Sequence, residues 1–195
     1  MRSFVWAGVL ALLAGGGGGD LSAQRPHRSG LWGELAPGIG HVRLACAGCP
    51  DVETASGVTS HLRIGGTISQ HVVMGVEAFS MIDRPLGTTT EDSTSAEAGT
   101  FAIIVMWFPG KTGLFFKGGV GTSYGQFVIA ADTSRGGGLG LTFGMGWDFP
   151  ISRKFAITGN VGTYVTALGD IVLPGRRVDD VIATMYELSV GFTFR

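Results

Sequence analysis

The chain has 195 residues, a formal net charge of −1, 15% charged residues and 34 glycines. That length suits one domain, and the near-balanced charge offers no basic surface for nucleic acid. So much glycine without a Gly-X-Y period excludes collagen and disfavours long helices, while the apolar residues are too many and too regularly spaced for a disordered chain.

Arg2 followed by the apolar residues 4–14, FVWAGVLALLA, reads as a secretory signal, and Leu21-Ser22-Ala23 supplies small residues for cleavage. This gives a signal peptide over residues 1–23 and a polar lead-in over 24–30. The apolar run is shorter than the ~20 residues of a spanning helix. No later segment reaches that length without a glycine or a polar residue, so any membrane span here is not helical.

From residue 31 the chain divides into eight strand-like runs separated by turn signals. The first, 31–44, alternates weakly, and Pro37 suits a strand end or bulge. In the second, 58–68, Leu62, Ile64 and Ile68 oppose His61, Arg63 and Thr67. In the third, 71–81, Val72, Met74 and Val76 oppose Gly75 and Glu77, and Phe79 breaks the pattern. The fourth, 97–108, is apolar on both parities, so its facing stays open. In the fifth, 114–128, Phe116 and Val120 oppose Lys117, Gly119 and Gly121.

The sixth run, 139–149, is the clearest: LGLTFGMGWDF puts Leu139, Leu141, Phe143, Met145, Trp147 and Phe149 on one parity and mostly glycine on the other. The seventh, 155–168, and the eighth, 183–194, repeat this, the latter with Tyr186, Leu188, Val190, Phe192 and Phe194 opposite Glu187, Ser189 and Gly191. A soluble strand carries full-sized polar side chains on its second face. A small membrane barrel instead turns bulky apolar groups to lipid and fills a narrow lumen with small polar ones.

The connections 69–70, 109–113 and 150–154 are short, whereas 46–57, 83–96, 129–137 and 169–182 are longer and more polar. Strict alternation with an even strand number is the outer-membrane pattern of short periplasmic turns and long extracellular loops. On this facing Arg63, Glu77, Lys117, Asp148 and Glu187 enter the lumen, where opposite charges are expected to pair. Trp107, Phe108, Trp147, Phe149, Phe155 and Phe194 cluster near the short turns as an expected interfacial girdle.

With its signal segment, two-residue periodicity, loop alternation and closing strand MYELSVGFTF, the stretch 31–194 resembles the small eight-stranded outer-membrane barrels of the OmpA/OmpX-like type. Members of that family often end in an aromatic residue, whereas Phe194 here is followed by Arg195. The resemblance implies an all-β, up-and-down antiparallel transmembrane barrel over residues 31–195. It implies residence in the bacterial outer membrane as a monomer. Its expected partners are outer-membrane lipids, lipopolysaccharide and, during insertion, the barrel assembly machinery. It implies no cofactor.

Cys46 and Cys49 in the first long connection favour a loop-closing disulfide in a secreted chain. A sharper alternative is zinc. If strands one and two pair about residue 51, His41 lies opposite His61 near both cysteines. An enzyme of the lipid A hydrolase kind would need a nucleophile, base and carboxylate in reach, and Ser60, His61, His41 and Glu53 are the residues on offer. Ser60 and His61 are adjacent and point to opposite faces, so His41 would have to serve as the base, and polar groups at a wet rim are the plainer reading. The Gly-x-Gly pairs in strands five and six precede more strand rather than a helix, so they are no nucleotide fingerprint. The acidic, hydroxyl-rich connection around residues 88–97 lacks calcium-loop spacing.

The expectation is therefore a non-enzymatic barrel with a structural or surface-interaction role. A narrow pore is the alternative within the membrane, and a soluble lipocalin-like ligand carrier, with bulky apolar residues inside, is the alternative outside it.

Overall fold

Period-two sequence of this kind cannot bury its apolar parity as an isolated sheet, and the strand edges need partners as well. Closure pairs the edges and leaves the apolar parity on the outer wall, with the small and polar parity inside. The computed structural model describes residues 30–45, 53–83, 95–110, 112–129, 132–173 and 176–195. Among them, β1 (Leu31–Ala45), β2 (Glu53–Ser69), β3 (Val72–Asp83), β4 (Ser95–Trp107), β5 (Leu114–Ile129), β6 (Asp132–Pro150), β7 (Phe155–Leu173) and β8 (Arg176–Phe194) form one closed antiparallel barrel in sequence order. The proposed signal peptide, the lead-in as far as residue 29, and Cys46 and Cys49 lie outside the described residues.

The turns at 70–71, 108–113 and 151–154 sit at one end, together with Gly30 and Arg195. This is the proximal end; the other is distal. At the distal end two of the expected long connections are corrected. Most of 129–137 and of 169–182 is strand, leaving only residues 130–131 between β5 and β6 and 174–175 between β7 and β8. The ladder continues as far as Ile129↔Asp132 and Leu173↔Arg176. Residues 132–138 read DTSRGGG, so the apolar alternation stops there while backbone pairing, which needs no apolar side chain, carries on.

Closure depends on the β1–β8 seam. Its ladder runs from Gly33↔Phe194 to Ala45↔Ile182 and skips Ala36 and Pro37. Pro37, expected at a strand end or a bulge, sits inside β1 opposite Ser60 of β2, with an interruption of the ladder on its β8 side and the same register above and below it. Proline has no N–H to give, so an incomplete ladder is where it is tolerated. Below the gap, Gly33 lies under the Phe194 ring, and a Cβ at that position would run into it.

The outer wall is apolar on every strand, with exposed residues such as Leu35, Leu62, Val76, Ile103, Val120, Phe143, Ile157 and Val190. The open facing of β4 resolves as Phe101, Ile103, Val105 and Trp107 outward and Ala102, Ile104 and Met106 inward. Of the expected girdle, Trp107, Trp147, Phe149, Phe155 and Phe194 are exposed, with Trp147–Phe149 and Phe155–Phe192 in ring contact. Phe108 is corrected: it is fully buried and packs on Phe115 at 5.3 Å between ring centres.

The interior is not uniformly small and polar. Near the proximal end Trp32, Val73, Ala102, Ile104, Met106, Phe108 and Phe115 form an apolar cluster. Farther up, Phe79, Met81, Tyr164 and Met185 form a second, and Leu168, Val181 and Ala183 a third. Phe79, which broke the alternation of its strand, turns inward to stack on Tyr164 at 3.6 Å between ring centres. Where the facing strands contribute glycine, there is room inside for these large groups.

Candidate functional site: the charged centre of the lumen

Three cross-strand neighbours lay the foundation. Glu34 of β1 stands opposite Arg63 of β2, which stands opposite Glu77 of β3. All three point inward and are about 1% exposed. Directly opposed residues on adjacent strands lie close enough for their side chains to interact, so acid–base–acid is a favourable row. Arg63 Nη1 donates to Glu34 Oε2 at 3.0 Å and across the lumen to Asn160 Oδ1 at 2.9 Å, while its Nε donates to Glu77.

Lys117 of β5 reaches the same Glu77, its Nζ lying 2.8 and 2.6 Å from the two carboxylate oxygens. Lys117 also donates to the Tyr164 hydroxyl at 3.2 Å, and that hydroxyl donates on to Glu187 Oε2 at 3.0 Å. His61 joins the remaining acids. Its Nδ1 is 3.0 Å from Glu187 Oε1 and its Nε2 is 3.3 Å from Glu34 Oε1. His61 thus bridges Glu187 and Glu34, one carboxylate at each ring nitrogen. Thr59, Thr142 and Asn160 add further donors to Glu187, Glu77 and Glu34. Gly162 sits alongside: a Cβ there would come within 3.2 Å of the Tyr164 ring and 3.4 Å of Glu187 Oε2.

Of the five lumen residues named from sequence, Arg63, Glu77, Lys117 and Glu187 meet in this network, the last through His61 and Tyr164. Asp148 is inside the wall but belongs to a proximal group with Arg195, with Thr158 at 2.8 Å and, beyond it, Thr193. Sequence reasoning left out Glu34, Asn160, Tyr164 and Arg195. The first three had a signal, since all stand on the inward parity of their strands. Arg195 follows the outward Phe194, so its parity also turns it inward.

The constellations proposed for chemistry do not assemble. β1 and β2 pair His41 with Ser56 rather than with His61. His41 is on the outer wall and His61 is buried in the lumen, so the two cannot share a zinc ion with the cysteines. Ser60 is exposed on the outer wall and His61 lies within, while His41 stands opposite Ser56, four residues along β2 from Ser60, so neither histidine is placed as a base for that serine. The lipocalin-like facing is likewise overturned, because the bulk of the exposed wall is apolar and the centre of the lumen is charged.

No family model matches this chain, and no curated protein matches it. Solved structures do. Neisserial surface protein A is 14% identical over 85% of this chain and 97% of its own, with a TM-score of 0.54. Ail, the attachment invasion locus protein of Yersinia pestis, is 15% identical over 85% and 99%, with a TM-score of 0.51. The outer membrane protein OprG from Pseudomonas aeruginosa is 13% identical over 88% and 99%, with a TM-score of 0.52. At such identities the likeness is one of fold.

Proposed function

We propose, starting from a chain with the fold of the small eight-stranded outer-membrane barrels, that it is a closed-lumen barrel of the bacterial outer membrane that acts through its surface. The observation that carries this reading is its inverted polarity. Apolar side chains cover the outside on all eight strands, and ion pairs occupy the centre. Soluble monomers rarely expose contiguous apolar patches beyond a few hundred Å². Lipid accepts such a wall, and closure leaves no open sheet edge toward it.

The filled interior supports a structural or interactive role over transport. In a barrel of this strand number side chains suffice to fill the lumen, and here the charged network lies between apolar clusters. The reading is tested in two parts. The membrane fraction should give a band that migrates faster unheated than boiled in SDS. Purified protein in planar bilayers should then show no steady ohmic conductance. A soluble, unshifted protein would refute the membrane placement, and a steady conductance would make the chain a pore.

A further inference from the structure

On the outer wall the apolar run of β1 ends at Ile39, and the next two outward positions are His41 and Arg43. The register places Ser56 and Tyr186 beside His41, and Thr54 and Thr184 beside Arg43. All six side chains face outward, and His41 Nδ1 lies 3.1 Å from Ser56 Oγ. When the serine hydroxyl donates to Nδ1, the imidazole Nε2–H remains as a donor. Among the described outward side chains of β8, β1 and β2 none is acidic. The acidic rim residue Glu97 lies across the barrel on β4, where it accepts from Tyr124 at 3.1 Å.

Height adds a second argument. Arg43 pairs with Thr184, and the strand from Phe194 to Thr184 climbs roughly 25 Å at about 3.4 Å per residue and a tilt near 40°. That matches the usual height of the apolar band, so the patch stands where outer-leaflet headgroups begin. Leu188 and Ile39 lie just beneath it and are well exposed, offering a surface to acyl chains.

We propose that this β8–β1–β2 rim binds a phosphate group of lipopolysaccharide, held by Arg43 and His41 with the neighbouring hydroxyls. The guanidinium presents paired N–H groups that match phosphate oxygens, and imidazole and hydroxyl donors complete the set. The patch faces sideways along the wall, toward lipid, rather than along the barrel axis toward a soluble polyanion. This inference rests on the outer-membrane reading above.

The test uses the full protein in phosphatidylcholine vesicles, with the temperature at which the fast-migrating band is lost as the readout. A ligand of the folded state raises that temperature. Adding bisphosphorylated lipid A should raise it for the unaltered protein and for Glu97→Gln, whereas dephosphorylated lipid A should not. The double variant Arg43→Gln/His41→Gln should still form the band but lose most of the rise, with lipid A needed at about fivefold or higher concentration for the same effect. An undiminished rise in the double variant, or an equal rise with dephosphorylated lipid A, would overturn the site. The same rise with inorganic phosphate alone would overturn the lipid as its occupant. Absence of the band in plain phosphatidylcholine vesicles would count separately, against the barrel reading itself.

Discussion

Arg63 stands between two acids and is fully enclosed, so its loss is felt on both sides. Arg63→Met should cost about 3 to 5 kcal/mol in urea unfolding, because Glu34 and Glu77 each lose a buried charge partner. Adding Glu34→Gln to that variant should recover part of the loss, since one of the uncompensated charges is then gone. A near-neutral Arg63→Met would mean that the network contributes little to holding the lumen. At this scale the sequence was informative but incomplete. The inward parity announced Arg63, Glu77, Lys117 and Glu187. Glu34 escaped because β1 alternates weakly, and Tyr164 because an aromatic residue looks like an outward one until Phe79 is seen stacked upon it. Which acid meets which base depends on register, and no single strand encodes that.

For a strand the useful quantity is depth. Val190 is outward and 61% exposed, about midway along β8 between Phe194 and Thr184, and Tyr186 is outward closer to the distal edge of the apolar wall. Val190→Arg should therefore cost about 2 to 4 kcal/mol of folding stability in lipid, and Tyr186→Arg about 0 to 1 kcal/mol. Equal costs would mean that the band is placed wrongly along the strand, and no cost at Val190 would mean that β8 does not face lipid. The positions of the strands were legible because a bulky apolar parity against glycine leaves little choice of facing. Their distal limits were not. In β6, β7 and β8 the apolar parity ends where a lipid band would end, while hydrogen bonding runs on for several residues more. The facing of β4 stayed open for the opposite reason. Its inward residues belong to the apolar cluster at the proximal end, so both parities look alike.

For the whole barrel, eight strands and their order followed from turn signals, but closure is a property of the seam alone. Gly33 and Phe194 meet there although nearly the whole described chain lies between them. Contacts of such long sequence separation form late and slowly, because the intervening chain must be ordered before they can be made. Phe194→Ala removes the ring that covers Gly33, so it should slow the appearance of the fast-migrating band in vesicles more than it lowers final stability; an unchanged rate would mean that the seam closes early. The consequence is one of timing. Until β8 arrives, β1 and β7 each offer an unpaired edge, and an edge is a template for any other extended chain. The barrel is then most open to wrong partners during the interval between making its seventh strand and placing its eighth, and a single aromatic ring over a glycine helps to end that interval.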